Sequence, residues 1–140
     1  MNALAGLETR LASAETLERD AIGSARTLLA IAEEALERWI EARGDVPTAN
    51  RREGFRLLAL HRQGARGVPS FNACRETCRE IAYHYNLLTM APDHEQFARR
   101  ALMMRLLVNH LVLFVSGKME VEGLGEFCCA SRPLRTESST

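Results

Sequence analysis

The chain has 140 residues, about the size of one domain, and 46% of them are hydrophobic, which excludes a disordered or low-complexity chain. Eighteen basic residues balance eighteen acidic ones. A net charge of zero argues against a generic nucleic-acid or membrane-surface binder, which carries a clear cationic excess.

The N-terminus has no basic region followed by an apolar one, so no secretory signal is expected and four cysteines read as free thiols of a cytoplasmic protein. From Asn2 to Arg43 the segment is rich in Ala, Leu and Glu. Its apolar positions Leu4, Leu7, Leu11, Ala14, Ala21, Ala25, Leu28, Ala32, Ala35 and Trp39 recur mostly in steps of three and four, which is the period of a helix. The pattern predicts one long or kinked helix of about 60 Å, or two helices divided near Asp20 to Gly23, with Gly44 as the stop. Asp45-Val-Pro-Thr48 reads as the start of a second helix running to about Gln63, with Pro47 in its first turn. Gly64 to Ser70 is dense in turn residues, and Ser70 reads as the cap of a third helix from Phe71 to about Thr89. Ala91-Pro92-Asp93 closes that helix and caps a fourth, predicted to end near Ser116 with Gly117 as its stop.

The expected fold is therefore all-α, an antiparallel helical bundle of four or five helices with a long N-terminal helix. Residues 1–118 are expected to form the bundle, and 119–140 are read as a C-terminal extension, expected to be partly disordered. The fourth helix is apolar around most of its circumference, from Leu102 to Val115, and a small bundle cannot cover such a helix on every side. A homodimer formed through it is the expected assembly. Its apolar run, Ala101 to Val115, is interrupted by Arg105, Asn109 and His110 and is shorter than the stretch that spans a bilayer, so no membrane is expected.

Zero net charge conceals a division. Residues 1–44 carry eight acids and five arginines, and residues 45–72 carry two acids and five arginines. On a continuous second helix Arg51, Arg52, Arg56, Arg62 and Arg66 fall within an arc of about 140°. That arc suits an anion such as phosphate, or it pairs with the acidic first helix. Arg52 and Arg56, with His84 and Tyr85, are the ligand-binding candidates. The arc has little aromatic interleaving, so nucleic acid is not the expected partner.

Cys74 and Cys78, four apart, share a helix face with a separation of about 6 Å. They could hold a soft divalent metal, with Cys128 and Cys129 or a histidine completing its shell, or act as a redox pair, but Ile81, Tyr85 and Leu88 continue the same face as a core stripe. No cofactor is predicted. Arg105, Asn109 and His110 bring a cation, an amide and an imidazole onto an apolar helix, where each needs a partner across an interface or in a pocket. Arg105 to His110 is similar to the R-x4-H spacing of HEPN ribonuclease domains, small dimeric helical bundles in which the arginine and histidine of two protomers meet to cut RNA. Arg56 to His61 and Arg79 to His84 repeat that spacing, so it assigns no family. The sequence points to a homodimeric binding, regulatory or scaffold module whose partner is a second copy of itself or another protein. Its alternatives are a metal or redox protein using Cys74 and Cys78, and a ribonuclease using Arg105 and His110.

Overall fold

The computed structural model describes residues 6, 7 and 21–123, and over them the chain is an all-α bundle. Its helices are α1 (Ala21–Ala42), α2 (Arg56–Gly64), α3 (Arg75–Met90) and α4 (Phe97–Val121), with a 3-10 turn over Pro69–Cys74. Apart from Gly6 and Leu7, which are helical, with Leu7 buried in the core, the first half of the predicted long helix lies outside the described residues, as do Cys128 and Cys129.

Helix α1 is the element the other three share. It packs on α2, α3 and α4, and α3 packs on α4. The stripe read from sequence is the face it buries, since Ala25, Leu28, Ala32, Ala35 and Trp39 are all within 2% of complete burial. The helix ends where expected. Gly44 adopts φ +88, and the amides of Gly44 and Asp45 bond back to the carbonyls of Glu41 and Ile40. This pair of bonds satisfies two terminal carbonyls and needs a left-handed residue, which glycine supplies without steric cost.

The second helix starts later than its sequence suggests. Residues 45–50 are irregular, and a tight turn joins Arg52 to Phe55 through reciprocal backbone bonds of 2.9 and 3.0 Å. Side chains of α2 satisfy this segment instead of its own backbone. Gln63 accepts from the Thr48 amide and donates to the Val46 carbonyl, each at 2.8 Å. Arg56 Nε donates to the Thr48 carbonyl at 2.8 Å. Arg51 and Arg52 therefore leave the helical arc, and the five arginines do not form one face of one helix.

The third helix begins as a 3-10 turn, again because of a contact from another element. The Phe71 carbonyl, which an α-helix would offer to the Arg75 amide, faces His61 Nε2 at 3.2 Å and accepts from Cys74 Sγ at 3.3 Å. The Arg75 amide bonds to Asn72 instead. Ser70 makes no cap; its hydroxyl accepts from Lys118 Nζ at 2.7 Å. Between α3 and α4, residues 91–96 form turns closed by His94 to Ala91 and Phe97 to His94 backbone bonds, so α4 opens at Phe97 and Asp93 is not its cap.

Gly117 does not stop α4. The helix continues to Val121 because Met119 is buried to 3% exposure and Lys118 and Glu122 are tied to Ser70 and Arg43. Packing of that last turn outweighs the glycine's cost of about 1 kcal/mol. The reversal comes at Gly123, with φ +72.

An aromatic stack fixes the centre. Trp39 lies on Phe71 at 4.7 Å with the rings 10° apart, and Phe71 also meets His61 at 5.6 Å and Phe114 at 5.5 Å. Trp39 Nε1 donates to the Gly64 carbonyl at 2.9 Å, so the polar edge of a fully buried ring is satisfied.

Candidate functional site

Five arginines converge on one cleft of about 480 Å³. Arg62 and Arg66 come from α2 and the turn after it, Arg75 and Arg79 from adjacent turns of α3, and Arg52 from the turn before α2. Asn72 of the 3-10 turn supplies an amide, while Leu58 and His61 form the floor. The polar side chains on the rim are exposed and His61 is buried. Thus α2 and α3 each give one cationic edge, and the aromatic stack beneath holds the two edges apart.

The charges in this cleft are not neutralised. Among the described residues Arg52, Arg62, Arg66 and Arg75 have no carboxylate within ion-pair distance, and no acidic residue lines the cleft. Only Arg79 is paired, by two 3.2 Å bonds to the carboxylate of Glu53. A second opening of about 660 Å³, next to the first, shares Arg52, Arg62 and Arg66 and adds Arg51. Side by side, guanidinium groups repel one another, and an anion accepting several of their N–H donors relieves that repulsion.

Arg56, chosen from sequence with Arg52, is engaged elsewhere. It bonds to the Glu37 carboxylate of α1 as well as to Thr48. This is the acidic-to-basic helix pairing that the charge division suggested, made by one arginine of the five. It also acts on Glu33, whose carboxyl burial pushes above the usual range while Arg56 opposes the rise. His84 is half-buried with Nδ1 2.9 Å from the Glu80 carbonyl, and Tyr85 packs edge-on against Phe55 at 5.7 Å. Neither lines the arginine cleft.

Cys74 and Cys78 are free thiols with no exposed surface. They lie on the stripe that Ile81 and Leu88 extend into the core. The Cys78 thiol donates toward Cys74, which pulls the Cys74 thiol down to about 6, and the nearby His61 ring adds to the effect. Cys78, the donor of that bond and itself buried, is pushed up. Among the described residues no group of three or more His, Cys, Asp or Glu side chains could hold a metal ion.

On α4, Arg105 and Asn109 are half-buried and His110 is exposed. Leu102, Met103, Leu106 and Leu113 are 43%, 43%, 47% and 54% exposed, while Met104, Val108, Leu111, Val112 and Val115 on the opposite flank are fully buried. By length and composition alone α4 could also cross a membrane, with a mean hydropathy of 1.3 and 39% of that window buried.

His61, Asn72, Arg75 and Arg79 were not singled out as ligand residues by sequence. Arg75 and Arg79 are four apart on α3, a same-face spacing that a helical wheel of that segment would have shown. That they face Arg62 and Arg66 depends on how α3 folds back on α2. Comparison with known proteins gives no relative: no family model, no curated protein and no solved structure matches this chain.

Proposed function

We propose that this protein is a cytoplasmic, homodimeric helical-bundle binding module whose ligand is a phosphate-bearing anion held in the arginine cleft. The observation that carries this reading is the set of four arginines, Arg52, Arg62, Arg66 and Arg75, without a carboxylate partner among the described residues, around one concavity. Some cations elsewhere in the molecule are matched to acids, as Arg38 is to Glu34 and Arg43 to Glu122, and what sets these four apart is that they share one concavity. An unmatched group in a protein of zero net charge is suited to an external anion. Arginine also fits phosphate through its planar fork of donors. Calorimetric titration with inorganic triphosphate tests this. Saturable binding that weakens with added salt is expected, with loss in the Arg62→Glu/Arg75→Glu double variant. No saturable binding by the wild-type chain refutes it.

Self-association through α4 is the second part of the reading. Leu102, Leu106 and Leu113, with His110 between, recur at the three, four and seven spacings that let two helices interlock. A second copy would cover this stripe, and the half-buried Asn109 could bond across the twofold axis. Light scattering should give twice the 15.6 kDa chain mass. Leu106→Glu should return the monomer with its helicity intact. A wild-type protein that is monomeric at micromolar concentration, or that sediments with lipid vesicles through α4, defeats this part.

A further inference from the structure

We infer that the anion bound by the arginine cleft is the phosphate end of a nucleotide, with its nucleoside lying in the adjoining cleft against Tyr83. This deepens the anion-binding reading and rests on it. The adjoining cleft, about 390 Å³, shares Leu58 and Arg79 with the arginine cleft, so the two are neighbours. Arg79 stands at their boundary, held there by the Glu53 carboxylate.

The chemistry changes across that boundary. On one side are guanidinium groups and the Asn72 amide. On the other, Glu76, Glu80, Tyr83 and Asn86 project from one face of α3. A uniform polyanion, such as a nucleic-acid backbone or an acidic peptide, would meet repulsion from Glu76 and Glu80 as it left the arginines. The matching ligand is polyanionic at one end and uncharged, aromatic and rich in hydrogen-bonding groups at the other. A nucleoside phosphate has this form. Its sugar hydroxyls can donate to the carboxylates, and its base can stack on the tyrosine and bond the Asn86 amide, which both donates and accepts.

Tyr83 is placed for such stacking. The residue is 58% exposed, although large aromatic side chains are usually mostly covered. It is braced edge-on by His84 at 5.4 Å and 88°, and His84 is itself fixed by the Glu80 carbonyl. Arg79 and Tyr83 are one helical turn apart, about 6 Å, and Arg75 lies one turn further in the same direction. Phosphates and base can therefore be read along a single flank of α3.

Calorimetric titration with ATP, GTP and UTP, with inorganic triphosphate and with adenosine, decides the matter. At least one nucleotide should bind about tenfold or more tightly than inorganic triphosphate, in keeping with the contribution of base–aromatic stacking. Tyr83→Ala should remove that advantage and leave triphosphate affinity unchanged. Tyr83 is exposed, so this substitution spares the core, and circular dichroism of the variant verifies the fold. If triphosphate binds and no nucleotide exceeds it, the nucleotide inference fails while the anion reading stands. If neither nucleotides nor triphosphate bind, the anion reading fails as well.

Discussion

Gly64→Ala places one methyl group where the aromatic stack leaves no room. A Cβ at this position would sit 2.9 Å from Trp39 Cδ1, 3.2 Å from Trp39 Nε1 and 3.3 Å from Phe71 Cε2. Both rings are fully buried and stacked on each other, so neither can withdraw without disturbing the other. The nearest route of escape also lengthens the 2.9 Å bond from Trp39 Nε1 to the Gly64 carbonyl. Overpacking of this kind costs about 1–3 kcal/mol. Alanine returns roughly 0.5–1 kcal/mol through helix propensity, an upper limit at the last residue of a helix. With the return held to about 0.5 kcal/mol at the helix end, the net expectation is a loss of about 0.5–2.5 kcal/mol, or a melting temperature lower by roughly 2–10 °C for a domain of this size. Thermal unfolding followed by far-ultraviolet circular dichroism measures the loss, and the near-ultraviolet signal of the single Trp39 reports the displaced ring. Gly117→Ala is the matched control. Nothing lies within 4 Å of its added Cβ and it sits inside α4, so propensity acts alone and stability should rise by about 0.5–1 kcal/mol. The reasoning is refuted if Gly64→Ala melts at or above the wild-type temperature.

Four further outcomes follow from the same geometry. In Cys78→Ala the hydrogen bond that holds the Cys74 thiol at about 6 is gone, so ultraviolet thiolate absorbance should move to a markedly higher pH; an unchanged titration would show that Cys78 is not the cause. Because Cys74 is depressed from its ordinary value of 9.0, its contribution to stability is complete above that value and is lost as pH falls through about 6. Cys78 is raised, so its contribution is complete below its ordinary value and is lost above it. Melting temperature should therefore rise from pH 6 toward pH 8 in the wild type more than in Cys74→Ser, and equal slopes would defeat the assignment. Arg56→Ala removes the ties to Glu37 and Thr48, both partly buried, and should cost about 1 kcal/mol of stability while releasing residues 45–50 to faster amide exchange. With Arg56 gone, the Glu33 carboxyl should titrate higher still, as NMR of that side chain would record.

The features fixed by the sequence are those that depend on near neighbours. Helical periodicity identified the buried face of α1, because Ala25, Leu28, Ala32, Ala35 and Trp39 recur at the spacing that puts them on one side whatever they pack against. Gly44 marked the end of α1 because only the local backbone decides whether a left-handed residue is needed. Apolar enrichment of α4 and the shared face of Cys74 and Cys78 were legible for the same reason. The helix starts were not. Whether residues 45–50 coil or wind depended on Gln63 and Arg56 reaching back to them, and whether Phe71 opened an α-helix depended on His61 taking its carbonyl. Gly117 read as a stop until Met119 found a place in the core.

Charge shows the division most clearly. The sequence supplied a basic segment and an acidic one whose sum is zero, but a guanidinium is neutralised only by a carboxylate that the fold brings within a few ångströms. Tertiary structure gave Glu37 to Arg56 and Glu53 to Arg79. It brought Arg52, Arg62, Arg66 and Arg75 from separate elements to a cleft where no acid follows them. Composition counted the charges; only the folding of α3 against α2 decided which of them meet.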